Sequence, residues 1–99
     1  MAEVVFLRRA WRDLEQIDDR IAAEDPGAAQ RFRTNVLRRI ALLKRVPEAA
    51  QPRPEFGRDI RTIPIGRYVV ILHVTQSKVS VLRILHSARD LPRLLKNLR

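Results

Sequence analysis

The spacing of apolar residues changes along the chain and predicts the order of its secondary structure. Val4, Val5 and Phe6 are consecutive apolar residues, which is typical of a short strand over residues 3–7. From Arg8 the apolar positions recur at steps of three and four, as on one face of an amphipathic helix. A second stripe of the same kind begins after residue 25 and predicts a second helix. The positions expected to form the core of this helix pair are Leu14, Ile17, Ile21, Phe32, Val36 and Ile40.

The two predicted helices are joined by Asp25-Pro26. An aspartate suits the N-cap because its carboxylate accepts hydrogen bonds from free backbone N–H groups, and a proline suits the first helical position. We expect the second helix to run to about Val46, before Pro47, and to form an antiparallel hairpin with the first. Residues 47–54 contain three prolines and no periodicity, which predicts a loop.

Three more strands are predicted after this loop. Ile60–Ile65 should end at an edge or a turn because of Pro64, and Gly66-Arg67 should turn the chain into Tyr68–Val74. The last strand, Val79–His86, is apolar at most positions, which favours a strand with neighbours on both sides.

Alternation along this last strand would place Arg83 on the same face as Val81 and Leu85. Leu91–Leu98 carries its leucines on one side and predicts a short terminal helix, for which Asp90 is the expected N-cap. The resulting order is β-α-α-β-β-β-α. We therefore predict a single α+β domain over residues 1–99, with a helix hairpin on one face of a four-stranded, mainly antiparallel sheet. The other face should be covered only by the terminal helix.

The positive charge is distributed unevenly. The net charge is +9, yet residues 1–25 hold seven acidic and four basic residues, whereas the rest of the chain holds four acidic and sixteen basic residues. Seventeen of the twenty basic residues are arginine, which favours an acidic or polyanionic partner, although a GC-rich genome would also enrich arginine. Five basic residues lie off the apolar stripe of the second helix, where a solvated face is the simpler interpretation and a binding surface the alternative. They are Arg31, Arg38, Arg39, Lys44 and Arg45.

The composition predicts no metal or cofactor. The chain has no cysteine, and two histidines alone cannot complete the usual zinc site. No apolar run approaches the roughly 20 residues that a membrane-spanning helix needs, and the N-terminal segment contains Glu3 and lacks the pattern of a signal peptide. We therefore expect a cytoplasmic protein.

Candidate functional residues lie on or at the ends of the predicted sheet strands. Arg61, Arg67, Arg83 and Arg89 could together bind an anion or an acidic partner. His86 could act as a general acid or base, but a histidine at a strand end is more often a structural group. Ser87 lacks the surroundings of a nucleophile elbow. The single tryptophan, Trp11, could anchor a partner or pack at the edge of the core.

Several short motifs, in this order and spacing, resemble the RelE/ParE superfamily of toxins, and its ParE-like branch in particular. The resemblance covers nearly the whole chain. Its elements are an early Ala-x-x-Asp-Leu element (Ala10, Asp13, Leu14, Ile17), Asp25-Pro26 with Ala28-Ala29, Ile60-Arg61, the segment Gly66 to Val70, and the segment Arg83 to Asp90.

This resemblance implies the toxin of a type II toxin-antitoxin system, with a role in plasmid stabilisation. ParE-like toxins inhibit DNA gyrase by protein–protein contact, whereas RelE-like toxins are ribosome-dependent endoribonucleases that cut messenger RNA. As a ribonuclease the chain would use Arg61, His86 and Arg89, but its only tyrosine, Tyr68, lies on an interior strand and no lysine cluster precedes Arg61. The resemblance therefore favours a gyrase inhibitor over an enzyme. It also implies a cognate antitoxin as the binding partner. The assembly would then be either a hetero-oligomer of toxin and antitoxin or a homodimer of the toxin.

Overall fold

The computed structural model describes residues 3–89 and 91–94 and confirms the predicted α+β fold, with one additional short strand. Asp90 and residues 95–98, which belong to the predicted terminal helix and its cap, lie outside the described residues. The elements are β1 (Glu3–Phe6), α1 (Arg8–Glu24), α2 (Pro26–Leu43), β2 (Gln51–Pro52), β3 (Ile60–Ile65), β4 (Tyr68–Val74), β5 (Lys78–His86) and α3 (Leu91–Leu94), with 3₁₀ turns at Pro47–Ala49 and Pro54–Phe56.

The strands form one sheet in the order β1-β5-β4-β3-β2. β5 lies between β1, to which it is parallel, and β4, to which it is antiparallel, as predicted from its apolar sequence. The sheet has five strands rather than four because Gln51 and Pro52 pair with Thr62 and Arg61 of β3. A two-residue strand that contains a proline has no alternating pattern, so residues 47–54 were predicted only as a loop.

The second helix, α2, begins where it was predicted to begin but ends earlier than predicted. The backbone N–H of Ala28 donates to Oδ1 of Asp25 at 3.1 Å, which makes Asp25 the N-cap. α2 ends at Leu43 rather than near Val46. The reason is local, because a residue before proline is sterically excluded from the α region, and Val46 has φ −131° and ψ 75°.

The hairpin packs on one face of the sheet through its apolar stripes. Of the six positions expected in its core, four are buried and two are only partly buried at the edge. The buried ones are Leu14, Ile17, Val36 and Ile40, and the partly buried ones are Ile21 and Phe32. Trp11 is 45% exposed and stacks on Phe6, with 4.4 Å between ring centroids, so it lies at the edge of the packed layer.

A β-bulge in β5 changes which side chains share a face. The pairing of β5 with β4 is interrupted between Val81 and Arg83, so that Leu82 is an additional residue. Beyond it the alternation is shifted, because Ile84 packs on the helix side with Val81 whereas Leu85 packs on the opposite side. The prediction that Val81, Arg83 and Leu85 lie on one face is therefore wrong.

The face of the sheet away from the hairpin carries a smaller apolar cluster. Its buried members come from β3, β4 and β5, namely Ile60, Val69, Ile71 and Leu85. Leu91 of the terminal helix covers part of this cluster, as expected, but Phe56 from the second 3₁₀ turn also packs on it. The segment between α2 and β3 therefore contributes to the packing of this face.

Candidate functional site

The side chains predicted as functional do not converge on one site. Arg67, His86 and Arg89 lie at the end of the sheet beside the β3–β4 turn. Arg61 of β3 pairs with Leu72 of β4, whereas His86 of β5 pairs with Tyr68 of β4. Leu72 and Tyr68 are four residues apart, so Arg61 lies about 13 Å further along the sheet than His86. Arg83 is internal. Only the first three residues can contribute to a common surface.

This end of the sheet borders an open groove of about 620 Å³. The groove lies where the end of α1, the start of α2, the β3–β4 turn and the end of β5 meet. Its apolar and aromatic lining is Ile21, Phe32, Ile65, Tyr68 and His86. A smaller adjoining pocket of about 80 Å³ is lined by Arg89 and shares Arg20, Tyr68 and His86 with the groove.

Along the groove, the ring of Tyr68 contacts two other rings edge to face. Tyr68 and His86 are paired residues of β4 and β5, and their ring centroids lie 5.3 Å apart. Phe32 of α2 lies 5.2 Å from Tyr68 in the same kind of contact. The helix hairpin and the sheet are therefore joined at the groove by a continuous aromatic surface, which can pack against an apolar side chain of a partner.

Arginines surround this aromatic surface. Arg20, Arg31 and Arg67 line the groove, and Arg89 lines the adjoining pocket. Only Arg31 has an ion-pair partner among the described residues, Asp25 at 3.6 Å, and both side chains are largely exposed. An exposed pair of this kind is worth about 0–1 kcal/mol. Glu24 and Asp25 also line the groove, so its three arginines leave a net charge of +1, to which Arg89 of the adjoining pocket adds a second positive charge. An acidic partner can neutralise this charge.

The β3–β4 turn and the turn after β5 hold Arg67 and His86 in place. Gly66 has φ 59°, a left-handed conformation that glycine adopts without strain in a two-residue hairpin turn. The backbone N–H of Ser87 donates to the carbonyl of Arg67 at 2.9 Å, which ties the two turns together. The groove is thus built on rigid strand ends rather than on a long loop.

The hydrogen bond at His86 restricts its chemistry. The backbone N–H of Ala88 donates to Nδ1 of His86 at 3.1 Å, so Nδ1 is an unprotonated acceptor and the ring proton of the neutral imidazole is on Nε2. In this arrangement His86 presents a donor to the groove and no free acceptor. It can bind an oxygen atom of a partner but cannot remove a proton without losing the bond from Ala88.

The structure corrects the expectations for Arg83 and Asp13. Arg83 Nε and Nη2 donate to Asp13 Oδ2 and Oδ1 at 2.8 and 3.1 Å, and both side chains are only 12% exposed. The backbone N–H of Ile84 also donates to Asp13 Oδ2, at 2.9 Å. Asp13 lies off the apolar stripe of α1, where the helical pattern predicts a solvent-facing position, and Arg83 was expected to contact a partner. Instead the two form an internal pair that joins α1 to β5.

The side chain of Arg61 also forms hydrogen bonds within the protein. Its Nη1 donates to the carbonyls of Ala50 and Pro47 at 2.8 and 3.3 Å, which fastens the first 3₁₀ turn to β3. Nearby, Arg53 Nε donates to Glu55 Oε2 at 2.9 Å, and this bond holds the pKa of the Glu55 carboxyl below its usual value. Arg53 and Arg61 therefore stabilise the segment between α2 and β3.

Comparison with known proteins identifies the family. The sequence model described as "ParE toxin of type II toxin-antitoxin system, parDE" matches residues 4–91. The chain belongs to the ParE toxin family. It is also 34% identical over 89 residues to toxin RelE2 of Caulobacter vibrioides, which covers 90% of this chain and 99% of that protein. The predicted resemblance to the RelE/ParE superfamily is confirmed.

A solved structure shares the fold of this ParE-family chain. It is described as the chromosomal ParDE TA system from P. aeruginosa, and it matches with a TM-score of 0.71 over 87% of this chain and 96% of that chain. The identity is 21%, so the likeness supports the α+β architecture.

Neither a metal-binding cluster nor a membrane-spanning helix is found in the part of this ParE-family toxin that the structure describes. Residues 3–89 and 91–94 contain no group of three or more His, Asp or Glu side chains placed to hold a metal ion. Within the same residues, none of the helices combines the length and the apolar composition required to cross a membrane.

Sequence reasoning missed several residues of the groove in this toxin, namely Arg20, Phe32 and Tyr68. The available signal was strand register, because a short connection between β4 and β5 brings Tyr68 opposite His86. Arg20 and Phe32 come from the helix hairpin, and their position depends on how the hairpin lies across the sheet. No local pattern in the sequence gives that placement.

Proposed function

We propose that this ParE-family toxin inhibits DNA gyrase through a protein–protein contact and needs no catalytic residues. The observation that carries the proposal is that Arg61 lies apart from the other two candidate ribonuclease residues, His86 and Arg89, which line one pocket. Arg61 is bonded to backbone carbonyls about 13 Å along the sheet from the level of His86, and His86 uses Nδ1 as a structural acceptor. A general acid–base reaction needs such groups within hydrogen-bond reach of one substrate.

A ribosome-dependent messenger RNA endonuclease is the second candidate. It is favoured by the name of the relative RelE2 and by the Tyr68–His86 contact beside Arg89 and Arg20. These four side chains could hold a phosphate group and an RNA base. In that case His86 would have to give up its bond from Ala88 before it could accept a proton.

A pair of reconstituted reactions separates the two functions. We expect the purified toxin to abolish supercoiling of relaxed plasmid by gyrase and to leave messenger RNA intact in a reconstituted translation reaction, because no acid–base pair is available for cleavage. Addition of the cognate antitoxin should restore supercoiling, which controls for a contaminating nuclease. Site-specific cleavage of messenger RNA with undiminished supercoiling would overturn the proposal and establish the ribonuclease.

We also propose that the groove binds an acidic segment of the cognate antitoxin. The aromatic surface offers a contact for an apolar side chain, and Arg20, Arg31, Arg67 and Arg89 offer charge-assisted hydrogen bonds to carboxylates. Such bonds are worth about 1.5–3 kcal/mol each when they are well formed. The same contact would cover the groove whenever the antitoxin is bound.

Arg89→Ala and Arg67→Ala should each weaken antitoxin binding by at least roughly tenfold, which corresponds to about 1.4 kcal/mol. Both side chains are exposed, so the variants should melt as cooperatively as the unmodified toxin. Isothermal titration calorimetry with the antitoxin provides the measurement. Arg58→Ala is the matched control, since Arg58 is an exposed arginine before β3 and outside the groove. Equal affinities for all four proteins would exclude the groove as the site.

A further inference from the structure

The outer surface of α2 carries arginines at a constant interval. Arg31, Arg38 and Arg45 are seven residues apart, and two helical turns return nearly to the same direction. At a rise of about 1.5 Å per residue, Arg31 and Arg38 lie about 10.5 Å apart along the axis of α2. Arg45 lies in the turn that follows the end of the helix at Leu43. The row lies opposite the buried positions Val36 and Ile40. We call these three arginines the α2 ridge.

The α2 ridge is continuous and is not interrupted by acidic residues. Arg38 lines two neighbouring surface depressions, one shared with Arg31 and the other with Arg45. Thr34 and Ala41, which lie between them, are small, and the exposed Leu42 also lines the second depression. Residues 26–46 include six basic and no acidic residues, so the ridge carries a positive potential.

The ridge arginines are held weakly. Arg31 meets Asp25 at 3.6 Å with both side chains more than half exposed, and Arg38 Nη2 donates to Asn35 Oδ1 at 3.2 Å. Among residues 3–89 and 91–94, the structure gives Arg45 no ion pair. By contrast, Arg33, on the side of α2 that faces α1, is paired with Asp18. The three guanidinium groups of the ridge can therefore bind an anionic partner at little cost.

We propose that the α2 ridge binds the phosphates of duplex DNA, independently of base sequence. An α-helix with its side chains is about 10–12 Å across, and the major groove of B-DNA is about 12 Å wide. Planar guanidinium groups bind phosphate oxygens in pairs of hydrogen bonds. Arginines on one outward line of a helix can contact the backbone bordering this groove while the apolar side of α2 stays packed on the sheet. This binding activity is additional to the proposed gyrase inhibition and does not depend on it.

Other polyanionic partners fit the ridge less well. A membrane-surface helix needs a free apolar face, and that face of α2 is buried against the sheet. Double-stranded RNA has a deep, narrow major groove that a helix cannot enter. A protein interface usually centres on buried aromatic anchors, and the ridge itself contains none.

Fluorescence anisotropy with a labelled 20-base-pair duplex over a series of salt concentrations tests the proposal. We expect the affinity to fall with salt, and the double variant Arg38→Gln/Arg45→Gln to reduce the slope of log K against log salt by about two. At about 0.1 M salt this variant should bind roughly 60-fold more weakly, because a slope change of about 0.9 for each of two lost phosphate contacts corresponds to a factor of about 10 to the power 1.8. The matched control is Arg9→Gln/Arg12→Gln, which removes the same charge from exposed positions of α1 and should stay within about twofold.

Three outcomes would overturn the proposal. Equal losses in the two double variants would mean that net charge alone attracts DNA. Equal affinity for double-stranded RNA would exclude docking in the major groove, and equally effective competition by polyglutamate would indicate an acidic protein partner. Circular dichroism melts of both variants control for folding. Because the assay contains no gyrase, a negative result leaves the gyrase proposal standing, and a failed supercoiling assay leaves this one standing.

Discussion

Asp13→Ala is expected to lower the free energy of unfolding by about 3–5 kcal/mol, the largest effect of any single polar substitution that we predict. The carboxylate of Asp13 neutralises Arg83, and both side chains are only 12% exposed. Its removal leaves a guanidinium group in a site with little access to water. The loss is a large share of the 5–15 kcal/mol that is typical of a whole domain.

A second role of Asp13 adds to this cost. β1 pairs with β5 only up to Val81, and beyond that point no strand of residues 3–89 and 91–94 pairs with this edge of β5. The N–H of Ile84 faces this edge and donates to Asp13 Oδ2 at 2.9 Å. Asp13 thus continues the hydrogen bonding of the sheet from a helix, and alanine would leave the buried donor without an acceptor.

Denaturant unfolding of a small set of variants separates the two roles. Asp13→Asn keeps an acceptor for Ile84 but removes the charge, so it should be less damaging than Asp13→Ala. Adding Arg83→Met to Asp13→Ala should recover part of the loss, because an apolar side chain leaves no buried charge. Asp18→Ala removes the exposed pair with Arg33 and should cost about 0–1 kcal/mol. Similar losses for Asp13→Ala and Asp18→Ala would show that the internal pair contributes little.

The contrast between the internal Asp13 and the more exposed Asp18 explains why part of the fold was predictable and part was not. Helical periodicity separates apolar from polar positions and correctly gave the two helices. Apolar runs gave the main strands, and the chemistry of Asp25-Pro26 gave the helix cap. Helical periodicity cannot tell a polar residue that faces solvent from one that meets a charge on a distant strand. Asp13 and Arg83 are 70 residues apart in the sequence, so only the tertiary fold brings them together.

The bulge at Leu82 limited the prediction of the site in the same way. The alternation of side chains along β5 is reliable only while the strand is regular, and one additional residue reverses the faces beyond it. The four arginines expected to form one basic surface are also divided, because Arg83 pairs internally and Arg61 of β3 bonds to the preceding segment. Arg67 reaches the groove and Arg89 its adjoining pocket because both lie in turns at the ends of strands.

Leu14→Ala is expected to lower the free energy of unfolding by about 2–5 kcal/mol, because it removes the centre of the apolar stripe of α1. Leu14 is 4% exposed and belongs to the main core, together with Ile17 of the same helix and Val36 and Ile40 of α2. A smaller side chain would leave a cavity between the hairpin and the sheet that the surrounding strands can fill only in part. Chemical denaturation monitored by circular dichroism gives the free energy directly.

Leu37→Ala provides a matched control for this substitution. Leu37 is also in a helix of the hairpin, and the same atoms are removed, but its side chain is 47% exposed. We expect a change within about 0.5 kcal/mol, since alanine favours the helix slightly and little apolar contact is lost. The difference between the two variants therefore measures burial rather than helix propensity. Equal free energies of unfolding for the two variants would mean that the hairpin does not pack on the sheet through Leu14, and would contradict the position of the core in this fold.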